Sequence, residues 1–137
     1  MSATNNILPD VWGPHAWKFI HFVALGYPDH ADEATRKHYQ EFFESLQNVL
    51  PCQSCARHYK DNLQRTPVSE HLKDRETLLR WTFDLHNEVN KQTGEPILSH
   101  EAALKLYTER QYPILDYLWK LLVLLVILVL IYVYVVK

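Results

Sequence analysis

The sequence is poor in the residues on which many folds depend. Its 137 residues include two cysteines, three glycines and one methionine. Two cysteines are too few for a secreted, disulfide-stapled scaffold, which draws on four or more. None of the three glycines follows Asn or Asp, so the strongest signal for a tight β-hairpin is missing. The phosphate-cradling G-x-G-x-x-G pattern is absent, and a dinucleotide would have to bind without a Rossmann unit. No basic patch of the kind that tracks nucleic acid occurs. Residues 1–17 lack a positively charged stretch followed by an apolar one, so no signal peptide is expected.

What is present is a long apolar run. Leu121 to Val136 is unbroken, and Tyr117 to Val136 carries one charge, Lys120. A helix of that length crosses a bilayer core. Tyr117 and Trp119 at one end, with Tyr132 and Tyr134 at the other, suit the two interfaces, and Lys120 can snorkel to the headgroups. A buried core helix is the alternative, and it suits this length and apolarity less well. The run reads as a single-pass, C-terminal membrane anchor. Such a tail inserts after synthesis, which leaves the remainder facing the cytosol. All sixteen acidic residues and twelve of the fourteen Lys and Arg precede it, so the remainder carries about four net negative charges.

Ahead of the anchor the apolar spacing is helical. Pro14 suits the first turn of a helix bearing Trp17, Ile20, His21 and Ala24 and ending near Gly26. A second helix runs from about Asp32 to Leu50 on a stripe of Tyr39, Phe42, Phe43, Leu46 and Val49. A third starts at the C-x-x-C with Cys52, Cys55, Tyr59 and Leu63 on one side. Asp74 can cap a fourth, through Leu78, Trp81, Leu85 and Val89 to Gly94. Ser99 can cap a fifth, running to about Tyr112 before Pro113. The expected fold is all-α: a four-helix bundle with a short fifth helix, followed by one C-terminal transmembrane helix. The expected division is a domain over 1–113 and an anchor over 114–137.

Cys52 and Cys55, at i and i+3 of a helix start, lie close enough to bridge, and the helix N-terminus favours a thiolate. Redox catalysis and zinc binding are both open to such a pair. Cys52-x-x-Cys55-x-x-His58, with His86, could supply zinc ligands, but structural zinc usually draws on a second clustered pair, and none occurs. In Trp81-Thr82-Phe83-Asp84-Leu85-His86-Asn87-Glu88-Val89-Asn90-Lys91, His86 and Asn90 share a helix face with Asn87 beside them. Such polar groups close to an apolar face need partners if buried, and three together suggest a polar ligand. Trp17 and His21 repeat the i, i+4 arrangement on the first helix.

Three segments together resemble the Erv/ALR sulfhydryl oxidases. They are Trp12-Gly13-Pro14-His15-Ala16-Trp17 with His21 and Tyr27-Pro28, then Pro51-Cys52-Gln53-Ser54-Cys55 with His58-Tyr59, then Trp81 to Lys91 with Gly94 and Pro96. The resemblance covers residues 11–107 and implies a helical bundle cradling FAD, usually as a homodimer. It implies that Cys52 and Cys55 are the catalytic pair. It also implies that Gly13, Pro14, Trp17, His21, His58, Phe83, His86, Asn87, Val89, Asn90, Lys91 and Tyr107 bind or border the cofactor, with no metal. Substrate dithiols would reduce the disulfide, Cys55 would lie nearer the flavin ring, and oxygen would leave as hydrogen peroxide. Thiol-containing proteins are the implied substrates. Electrons would arrive from them directly or through a small thioredoxin-like carrier, since no second, shuttle cysteine pair is present. Glu95 stands where the family often has a basic residue, and Tyr107 where it often has tryptophan. A minimal chain with an added anchor looks like the versions found in large cytoplasmic DNA viruses, which would put it in a host or virion membrane. The rival class is a membrane-anchored, non-catalytic helical adaptor with a zinc-binding C-x-x-C.

Overall fold

A computed structural model describes residues 7–108 and 113–136, with side chains described over 7–108 and 117–135, and all its regular structure is helical. The chain divides into two compact units, residues 1–100 and 101–137. The first holds α1 (Pro9–Leu25), α2 (Glu33–Val49), α3 (Gln53–Arg65), a 3-10 turn (Val68–His71) and α4 (Arg75–Thr93). α5 (His100–Thr108) and α6 (Pro113–Val136) follow.

Helix ends obey local rules for the most part. Asp32 and Asp74 cap α2 and α4, their Oδ1 atoms accepting the N–H groups of Thr35 and Thr77 at 2.8 Å each. α2 stops at Leu50, whose ψ of 134° is the extended conformation imposed by Pro51. Gly94 closes α4 in the left-handed region at φ 77°, where a side chain would be strained. Two starts differ from expectation. α1 begins at Pro9 rather than Pro14, because either proline satisfies the first turn; Pro14 then lies inside the helix, where it removes one backbone bond. Pro113 opens α6. The expected end of α5 near Tyr112 falls outside the described residues.

α1 packs on α4, α2 on α3 and α3 on α4, and the 3-10 turn wedges against α2 and α4. Phe43, Leu63, Leu78, Trp81 and Leu85 are buried, and Phe43 meets Trp81 edge to face at 5.2 Å. Each such side chain contributes roughly 1.5–3 kcal/mol by leaving water. Aromatic tips find partners as they bury. Tyr27 donates to the Leu72 carbonyl at 2.8 Å, Tyr59 to the Phe43 carbonyl at 3.0 Å and Trp81 Nε1 to the Thr66 carbonyl at 2.9 Å. These bonds tie α3, α4 and the segment after α1 to segments distant in sequence and fix how the helices meet. Burial pushes the Tyr59 hydroxyl pKa up, so it stays a donor.

In the second unit, the 19-residue stretch Tyr117–Val135 of α6 is long and apolar enough to cross a membrane. At 1.5 Å per residue it spans about 28 Å, against about 30 Å of hydrocarbon. Every side chain from 117 to 135 is exposed. So much continuous apolar surface is not stable in water and calls for a bilayer or a partner.

Candidate active site

The first turn of α3 is closed by a Cys52–Cys55 disulfide, with Cα atoms 5.2 Å apart. The i, i+3 spacing on a helix start provides that separation. Cys52 occupies the cap position, where its Sγ accepts the Cys55 N–H at 3.2 Å and meets the Ser54 hydroxyl at 3.1 Å. With the positive end of the helix dipole, these donors favour negative charge on Cys52 when the bond opens. The two sulfurs have different surroundings. Cys52 is 5% exposed, whereas Cys55 is half-buried and forms part of a cavity wall.

That cavity, of about 250 Å³, lies between α1, α3 and α4. Trp12, Gly13, Ala16, Trp17 and Ile20 form its α1 side; Ser54, Cys55, His58 and Tyr59 its α3 side; Val89, Gln92 and Thr93 its α4 side. Small-molecule pockets run to about 300–1,000 Å³, so this space suits a planar ring system and not an entire dinucleotide. His58 also edges a more open, polar hollow with Asp61, Gln64, Arg65 and Gln92.

Beside the cavity, the Trp17 ring stacks on His86 with centroids 4.2 Å apart and planes 10° from parallel. His21 Nε2 lies 3.0 Å from His86 Nδ1, and His21 Nδ1 lies 3.0 Å from Thr82 Oγ1. Phe83 packs against His21 at 4.8 Å. Burial, assisted by the adjacent His86, pulls the His21 pKa down to about 3, and burial pulls that of His86 down to about 4. Both rings are therefore neutral at neutral pH.

Gly13, Trp17, His58 and Val89, from the expected cofactor set, meet at the cavity with Cys55, and His21, Phe83 and His86 form the cluster next to it. Four others stand apart from that space. Pro14 is exposed on α1. Asn87 clasps Leu98 through both its amide groups, donating to the carbonyl at 2.8 Å and accepting the N–H at 3.1 Å. Asn90 Nδ2 donates to the Pro96 carbonyl at 3.0 Å, and Lys91 pairs with Glu88. These amides hold the segment after Gly94 against α4, a tertiary role that helix spacing does not reveal. Tyr107 lies on α5. Trp12, Ala16 and Ile20 were not assigned to the cofactor from the sequence, although their mutual i, i+4 spacing puts them on one helix face. Nor was Thr82, which is fully buried behind His21.

The Erv1 / Alr family model matches residues 14–113. A protein of Acanthamoeba polyphaga mimivirus named as a probable FAD-linked sulfhydryl oxidase is 42% identical over 98 residues, covering 71% of this chain and 68% of its own. An African swine fever virus FAD-linked sulfhydryl oxidase is 28% identical over 112 residues, covering 77% of this chain and 87% of its own. Among solved structures, the yeast Erv1 core superposes with a TM-score of 0.71 at 22% identity, over 80% of this chain and 92% of that one. The all-helical bundle is thus the fold of that core, and the family match spans the cysteine pair and the Trp17–His86 cluster together. The chain belongs to the Erv1 / Alr family.

Proposed function

We propose that this chain is an FAD-dependent thiol oxidase that makes disulfides in protein substrates through Cys52 and Cys55. The observation that carries the reading is the position of the disulfide, one sulfur of which walls an aromatic cavity sized for a planar ring. The donor set fits FAD. Trp12, Trp17 and Tyr59 offer flat apolar faces next to Cys55, and the rest of the dinucleotide would run out past Trp17 and His86. A zinc site would need both sulfurs as free thiolates, which the disulfide denies it.

A substrate thiolate attacks Cys52 Sγ, the Cys52–Cys55 bond breaks, and Cys55 leaves as a thiolate on the cavity side. Because Cys52 is 5% exposed, its cover must open for that attack. The second substrate thiolate then attacks the sulfur bonded to Cys52. The substrate departs as a disulfide, and Cys52 is released as a thiolate held by the Ser54 hydroxyl and the Cys55 N–H. When bound, FAD takes the electron pair from the dithiol and gives it to oxygen, producing hydrogen peroxide. Cys52 and Cys55 rejoin as those electrons leave, and the surrounding indoles keep water from the cavity.

Residues 1–113 form the oxidase domain and 114–137 the anchor, tail-inserted with the domain on the cytosolic side of a host or virion membrane. Thiol proteins reach the domain directly or through a small thioredoxin-like carrier. Leu8, just before α1, and Val11 and Phe19 on it, at 68%, 63% and 59% exposure, support a homodimer. The test is full-length protein purified in detergent. It should carry FAD and consume oxygen when given a dithiol, and Cys55→Ser should keep the FAD and stop the consumption. A folded, colourless preparation holding stoichiometric zinc would overturn the proposal.

A further inference from the structure

The two histidines beside the cavity belong to a chain of hydrogen bonds whose direction is set at its far end. Thr82 Oγ1 lies 2.7 Å from the Leu79 carbonyl oxygen. Two oxygens that close repel unless a proton lies between them, and a carbonyl has none to give, so Thr82 donates to Leu79. A hydroxyl has one proton. At its other contact, His21 Nδ1 at 3.0 Å, Thr82 must accept, and His21 therefore donates from Nδ1. His21 is fully buried and neutral, so its Nε2 holds a lone pair. The 3.0 Å contact between that nitrogen and His86 Nδ1 must take its proton from His86. His86 is neutral too, so its remaining nitrogen, Nε2, is bare.

We infer that Thr82 is a positioning residue that, through His21, locks His86 in the Nδ1–H tautomer and makes this edge of the site an acceptor for an N–H or O–H of the bound nucleotide. The inference rests on the FAD reading of the cavity. His86 is half-buried and stacked on Trp17, whose ring lines that cavity. A phosphate oxygen brought to His86 Nε2 would set lone pair against lone pair. A sugar hydroxyl or the adenine amine supplies the missing proton. The phosphates therefore lie elsewhere, although histidine is a common phosphate partner when charged. A threonine that merely back-bonds its own helix is ordinary. What distinguishes Thr82 is that its second contact leaves His21 one tautomer.

The experiment uses full-length protein in detergent, labelled with nitrogen-15 in the histidine rings, with the His86 signals identified by their loss in His86→Gln. Read on protein stripped of its bound FAD, His86 should show a protonated Nδ1 and a bare Nε2. Thr82→Ser should preserve that pattern and the wild-type affinity for FAD. Thr82→Val, of nearly the same shape, should give mixed tautomers and bind FAD about three- to tenfold more weakly, the effect of one misdirected hydrogen bond. A wild-type His86 protonated at Nε2 would overturn the inference, as would Thr82→Val with unchanged tautomer and affinity. Should Thr82→Val fail to fold, the wild-type and Thr82→Ser spectra still decide the tautomer. Wild-type protein with the expected tautomer and no affinity for FAD would sink the nucleotide half of the inference together with the oxidase reading, leaving the tautomer intact.

Discussion

Cys52 and Cys55 are three residues apart and differ in what surrounds them, and that difference yields separate expectations for each. Cys52→Ser and Cys55→Ser should both abolish dithiol oxidation, since one sulfur cannot accept two electrons as a disulfide. Both should retain FAD, because the aromatic walls are untouched. Their spectra should differ. In Cys52→Ser the remaining Cys55 lies at the cavity as a thiolate and should add a long-wavelength charge-transfer band that fades in acid. In Cys55→Ser the remaining Cys52 is outside the cavity lining and should give none; a band in that variant instead would invert the assignment. Ser54→Ala removes a donor from Cys52 and should slow alkylation of the reduced protein at neutral pH by a few-fold, a rate read with a thiol reagent. The pair itself was legible in the sequence, because C-x-x-C after a proline obeys local helix geometry. The unequal burial of its two sulfurs was not, because that depends on α1 and α4 closing over the turn.

α4 carries two kinds of polar residue that look alike in sequence. His86 turns toward Trp17 and His21, while Asn87 and Asn90 hold the chain after Gly94. Asn87→Ala removes both bonds to Leu98 and should lower stability by about 1–2 kcal/mol, roughly 4–8 °C in Tm per kcal/mol for a domain of this size. Amide exchange at Leu98 should quicken with it. The Asp74 cap and the Gly94 stop were readable because a cap acts within four residues. The bonds of Asn87 and Asn90 to Leu98 and Pro96 were not, because helix spacing does not show where a following loop returns. Acid should act on this region through His21 and His86. Their folded pKa values, about 3 and about 4, lie below the ordinary 6.5, so below pH 6.5 the unfolded chain binds protons that the folded chain refuses. Stability should be complete above that pH and fall as it drops to about 4 for His86 and about 3 for His21, by up to about 1.4 kcal/mol per pH unit for each histidine. Thermal melts across that range test this. A flat Tm between pH 6.5 and 4.5 would mean that the histidines are not held neutral.

For the whole molecule, a helical thiol-oxidase domain shares its chain with a helix long and apolar enough to cross a membrane. The apolar helix was legible because a 19-residue stretch with one charge, Lys120, is plain in the sequence. In intact microsomes, external protease should digest the domain and spare α6; full protection of the domain would reverse the proposed topology. The electron path is tested most directly by mixing the full-length, FAD-loaded protein with a dithiol in the absence of air and then admitting oxygen. The flavin colour should bleach with one equivalent of dithiol, return in air, and release one equivalent of hydrogen peroxide, while Cys55→Ser stays coloured throughout. Bleaching that proceeds as fast in Cys55→Ser as in the wild type would contradict the passage of electrons through the disulfide.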